Sequence, residues 1–196
     1  MIIKYCLSTV LTVVASMAAA DTGTVIPANL NPDLREVIHS VDYDNLSQDR
    51  EKIRTLLATL SPDSYGYDEK QMCERLLDAP VSPVTPDGMI GYRRVRSIQI
   101  NSLGIFSYPY FSCRFRKKNG KVFFEKTTGS QRKSGYLYQN TPESLIFLGG
   151  ASVNGDPQTT YGSESSVAGT LYKTGPRTAI MLFATDDSAE IYELTK

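Results

Sequence analysis

The chain has no tryptophan, one histidine and three cysteines among 196 residues. The lone histidine, His39, lies in a helical pattern beside Ile38 and Ser40 and reads as a surface side chain, a poor fit to a histidine-based triad. Cys73, Cys113 and one histidine do not fill the four positions of a tetrahedral metal centre either. No apolar run beyond residue 20 approaches the ~20 residues that a membrane-crossing helix needs. Large aromatic area comes instead from 12 tyrosines and 7 phenylalanines, a usage that suits strands better than a helical bundle.

What is present begins with residues 1–20, MIIKYCLSTVLTVVASMAAA. Lys4, a short apolar stretch and the closing alanines predict a signal peptide cleaved after Ala20. The mature chain is then expected to start at Asp21 and to be periplasmic or secreted, not membrane-spanning. Cys6 would leave with the signal. In an oxidising compartment the default for Cys73 and Cys113 is a disulfide, worth roughly 4 kcal/mol for a loop of about 40 residues. The competing reading is two buried, unpaired thiols.

The formal net charge of zero conceals segregation. Residues 21–90 carry 13 acidic and 6 basic side chains, and residues 91–135 carry 1 acidic and 11 basic. Residues 136–196 return to 7 acidic and 3 basic. Either the basic block faces an anionic partner, or the flanking acidic segments neutralise it within the fold.

Hydrophobic period divides the chain. Segment 21–87 is read as helical, with a stiff linker carrying Pro80, Pro83 and Pro86. Asn31 offers an N-cap and Pro32 a first helical position, followed by Leu34, Val37, Ile38 and Val41 at helical spacing. A second stripe contains Ile53, Leu56, Leu57 and Leu60, and a third contains Met72, Cys73, Leu76 and Leu77. Segment 88–196 changes to period two and is read as an antiparallel β domain. Phe111, Cys113 and Phe115 alternate with Ser112, Arg114 and Arg116, and Asn119-Gly120 is a strong hairpin signal. Candidate strands cover 92–100, 111–117, 121–128, 134–139, 144–148, 166–174, 178–184 and 189–194. The fold class is therefore α+β: N-terminal helices, then an antiparallel meander of about eight strands. Closure into a small lipocalin-like barrel would remove its edges. Residues 154–165, rich in small polar residues, form the one long excursion.

Chemistry-bearing patterns are few. Ser130-x-x-Lys133, Tyr138-x-Asn140 and Lys173-Thr174-Gly175 imitate the order of a serine acyl-transfer signature. Gly129 and Gly135 bracket the first pair in a strand-rich stretch, where serine and lysine cannot share a helix face. Glu125 is the only acid of the basic block, and its ordinary role is an ion pair on the sheet. Cations interleave with aromatics from Tyr108 to Lys126. In an exported chain, anionic envelope polymers or an acidic protein surface are more fitting partners for that mixture than nucleic acid.

Two runs, YPYFSCRF from Tyr108 and EKTTGSQRKSG from Glu125, resemble the central signature of a family of small exported bacterial proteins that form a domain of unknown function. The resemblance extends from about Gly91 to Leu194 and implies compartment and architecture, not chemistry. More loosely, the meander is similar to lipocalin-like barrels, exported protease inhibitors among them. Within the signature, the bend 127–132 gathers hydroxyls, an amide and a guanidinium that can hold a carboxylate or phosphate, or can serve as a structural corner.

The candidate binding set is Arg114, Glu125, Lys126, Thr127, Ser130, Gln131 and Arg132, with no catalytic residue, metal or cofactor. The expected function is a non-enzymatic binding or interaction protein of the envelope, inhibitor-like in style. The alternative is a hydrolase or transferase using Glu125 or Ser130. A third reading places a small ligand inside the barrel.

Overall fold

The structure is a computed structural model that describes residues 26–196. The predicted signal segment lies outside the described residues. Eight antiparallel strands follow one another around a closed barrel. They are β1 (Arg94–Asn101), β2 (Gly104–Lys118), β3 (Lys121–Lys126), β4 (Gln131–Thr141), β5 (Ser144–Val153), β6 (Ser166–Lys173), β7 (Thr178–Ala184) and β8 (Ser188–Thr195). β8 pairs with β1 along its whole length, from Arg94 opposite Thr195 to Asn101 opposite Ser188, which closes the cylinder.

Period two sends alternate side chains inward. Val95, Cys113, Phe115, Phe124, Phe147, Met181, Tyr192 and Leu194 belong to one interior core. The rings of Phe124, Phe147, Phe183 and Tyr192 meet edge-on or tilted, with centroids 5.3 to 6.2 Å apart. Such packing contributes beyond the area it buries. Gly135 and Gly149 face each other across β4 and β5. A Cβ on Gly135 would lie 2.3 Å from the Leu148 carbonyl oxygen, so only glycine permits this close approach. Asn119 and Gly120 both adopt positive φ, 51° and 76°, as a two-residue hairpin turn requires.

The helices coat the outer wall. α1 (Pro32–Arg35) and α2 (Ser40–Leu46) supply Leu34 and Leu46 to a cluster with Ile146 and Leu148 of β5. α3 (Asp49–Thr59) and α4 (Lys70–Asp78) bury Ile53, Leu57, Cys73 and Leu77 against outward residues of β1, β7 and β8. Asn31 caps α1 as expected, accepting from the Leu34 N–H at 3.3 Å. The helix that the Leu34-to-Val41 spacing predicted is broken, however. His39 is extended and its N–H donates to Tyr161 Oη at 3.0 Å, so a tertiary partner replaces the helical one.

One end of the barrel is stopped. Residues 79–92 cross it, burying Val84, Met89 and Tyr92 in the interior core. The Val84 N–H donates to the Pro142 carbonyl at 2.9 Å, and Gln139 Nε2 donates to the Val84 carbonyl at 3.0 Å.

The expected disulfide is not formed. Cys73 and Cys113 are free, buried thiols. Cys113 alternates inward with Phe115, whereas Cys73 belongs to the helical layer outside the wall. The sheet therefore lies between the two side chains, and a disulfide tolerates little separation. Burial pushes both thiols up to about 12.

Candidate functional site at the open end of the barrel

The end opposite the plug is built differently. β3 stops at Lys126, so above Cys113 the long strand β2 has β1 as its one ladder partner, apart from the Thr127 N–H on Ser112 and a single bridge from Gly104 to Tyr65. The β1–β2 register also shifts there: Arg96 faces Tyr110 and Ile98 faces Ser107, which sets an extra β2 residue beside Pro109. A bulge of this kind bends a strand and opens its pairing. The wall is consequently parted next to Lys126.

Inward positions at this level are polar. Lys133 Nζ is paired with Glu190, whose other carboxylate oxygen accepts from Ser97 Oγ. Lys126 is 4% exposed, and its ammonium donates to the Gln131 carbonyl at 2.8 Å. That ammonium lies 4.6 Å from the Phe111 ring centroid and 5.7 Å from that of Tyr192. Burial pulls the Lys126 pKa down, with Glu190 opposing and Lys133 adding to the effect. Tyr192 Oη is buried with no hydrogen-bond partner, and burial raises its pKa far above the usual phenol value. Two cavities open here. One of about 80 Å³ is lined by Ser97, Gln99, Tyr108, Phe111, Lys126, Ser130 and Gln131. The other, of about 460 Å³, runs from Lys133, Phe183 and Glu190 out to Asp42 and Asp49 on the helices. Gln99 Nε2 donates to Gln131 Oε1 at 2.5 Å, an amide bar across the mouth between them.

The sequence-derived set divides in two. Lys126, Ser130 and Gln131 line the smaller cavity. The other four hold the fold together. Arg114 and Arg116 both clamp Glu125, and Gln158 of the long loop donates to its second oxygen at 3.0 Å. Burial works against the Glu125 charge, but those donors outweigh it and hold the carboxyl at about 2. Thr127 latches to the Ser112 carbonyl through its N–H at 2.9 Å. Arg132 donates to the Asn154 and Asp156 carbonyls, tying down the same loop. Lys133 is bound to Glu190, not to Ser130, and the stretch is strand, so the acyl-transfer imitation has no helix to work from.

The basic block is also largely answered from within. Lys117 pairs with Asp87 and Lys121 with Asp33 at 3.2 Å, in addition to the clamp on Glu125. Sequence reasoning missed Ser97, Gln99, Lys133, Glu190 and Tyr192 as a group. The signal was parity: Glu190, Tyr192 and Leu194 alternate on one face, as do Lys133, Gly135 and Leu137.

The geometry defines a closed, eight-stranded, up-and-down antiparallel barrel, jacketed by helices and carrying buried charge at its open end. The chain belongs to a family described as a domain of unknown function (DUF4893), whose model matches residues 35–183. No curated protein matches it. Among solved structures it is similar to a redesigned β-barrel at 14% identity, covering 60% of this chain and 98% of that one, with a TM-score of 0.40.

Proposed function

We propose that this chain is an exported, non-enzymatic binding protein of the cell envelope, and that it works at the open end of its barrel. The observation that carries the reading is the inward-facing set Lys126, Lys133 and Glu190. Buried charge weakens a fold relative to hydrocarbon of the same shape, so its placement at one accessible end, above an otherwise apolar core, argues for recognition. The opposite end is filled by Val84, Met89 and Tyr92. The outer basic face is a poorer candidate for an anionic polymer, because Glu125, Asp87 and Asp33 already engage it. Export rests on the composition of residues 1–20.

The test is a thermal-shift panel of polar metabolites and small envelope fragments, run on the mature chain and on Gln131→Trp, which fills the mouth. Compounds that stabilise the unmodified protein but not Gln131→Trp support the reading. A panel that stabilises neither, or both alike, overturns it.

A further inference from the structure

We propose that the cavity of about 80 Å³ beside Lys126 binds the carboxylate of a small organic monoanion, with the Lys126 ammonium as its counter-charge. This rests on the mouth being the recognition end and adds the class of ligand.

Charge count is the first argument. Glu190 is satisfied by Lys133 and Ser97. Among the described residues, no carboxylate lies within ion-pair distance of Lys126, so the inward set Lys126, Lys133 and Glu190 holds one positive charge in excess. Such a charge, 4% exposed, is costly until an anion meets it. The donor count agrees. An ammonium has three hydrogens, and only one protein acceptor, the Gln131 carbonyl, is used. Aromatic faces cover part of the remainder, and the cavity takes the rest.

Size then limits the ligand. On the same measure a single water needs only about 10–15 Å³, so a chamber of about 80 Å³ has room for a carboxylate on a short chain, while a dianion would overshoot the single excess charge. Of the remaining lining, the Ser130 hydroxyl and the Gln99 and Gln131 amides are neutral donors suited to a carboxylate, the Ser97 hydroxyl being already given to Glu190, and Tyr108 and Phe111 add aromatic faces. The body of the ligand extends into the larger cleft once the Gln99–Gln131 bar swings aside.

The experiment is calorimetric titration of the mature protein with sodium propionate, against propionamide and sodium chloride at matched ionic strength. Propionate is expected to bind, propionamide and chloride at least tenfold more weakly. Lys126→Met should fold, being relieved of an unpaired buried charge, and should lose propionate affinity at least tenfold. A readout independent of that variant is the lysine 13Cε spectrum of the unmodified protein, where propionate should move a ring-shifted lysine resonance. Equal binding of propionate and propionamide, or unchanged affinity in Lys126→Met, overturns the carboxylate assignment. If neutral compounds still stabilise in a Gln131→Trp-sensitive way, the mouth remains the recognition end. If no compound does, that broader reading fails as well.

Discussion

Asp49→Asn should make the protein more stable at pH 8 and leave it unchanged at pH 4. Asp49 opens α3 with its side chain 2% exposed, and it accepts from Thr170 Oγ1 of β6 at 2.9 Å. Burial raises its carboxyl from 3.8 to about 7, although the Thr170 hydroxyl and Lys52 pull the other way. A carboxyl raised on folding is still protonated in the native state where the unfolded chain has lost its proton. The contribution of Asp49 to native stability is therefore greatest below pH 4, falls as pH rises through about 7, and is level above that. The difference corresponds to about 4 kcal/mol at most, at roughly 1.4 kcal/mol per pH unit. The helix N-terminus also favours the carboxylate, so about 2 kcal/mol is the working figure. Asparagine keeps an acceptor for Thr170 and never ionises. Urea unfolding of both proteins at pH 4, 6 and 8, followed by circular dichroism, measures the gap. A gap of equal size at pH 4 and pH 8, or a variant weaker at pH 8, would refute the reasoning.

Glu125 should behave with the opposite sign. Its carboxyl is held at about 2, so its contribution is complete above about pH 4.5 and lost as pH falls toward 2. Glu125→Gln should cost about 1–2 kcal/mol at pH 7, discounted because the partner guanidiniums are half exposed, and should speed proteolysis within residues 154–165. Cys73 and Cys113 should react with a thiol reagent only after denaturation, because both are buried with pKa values pushed to about 12. A denatured, unreduced sample that titrates no thiol would contradict the free cysteines. Amino-terminal sequencing of protein recovered from the envelope fraction should begin at Asp21; an intact Met1 there would remove the argument for export.

Most of the barrel was legible because period two is a local property. Each of the eight strand segments read from alternation has a counterpart, and Asn119-Gly120 turns where expected. Helix lengths were less legible. The stripe from Leu34 to Val41 is helical in spacing, yet Tyr161, far along the chain, captures the His39 N–H and divides it. The disulfide failed for a related reason. Compartment says whether thiols oxidise, but not that a sheet stands between Cys73 and Cys113. The site was half legible. Ser130 and Gln131 came from the signature bend and Lys126 from the basic block before it, while Thr127 and Arg132 of the same bend proved to be a latch and a loop tie. Lys133 and Glu190 escaped because a charge on a strand is ordinarily assigned to the wet face. Closure gives each strand an inside, and at the open end that inside accepts charge.

The most direct test of a carboxylate site beside Lys126 at the mouth is crystallographic. Crystals of the mature protein grown with 3-bromopropionate should give a bromine anomalous peak at the open end, with the carboxylate against Lys126 and the bromine toward the Phe183 side. Bromine found only on the outer wall, or no peak with an empty chamber beside Lys126 at saturating ligand, would contradict the account.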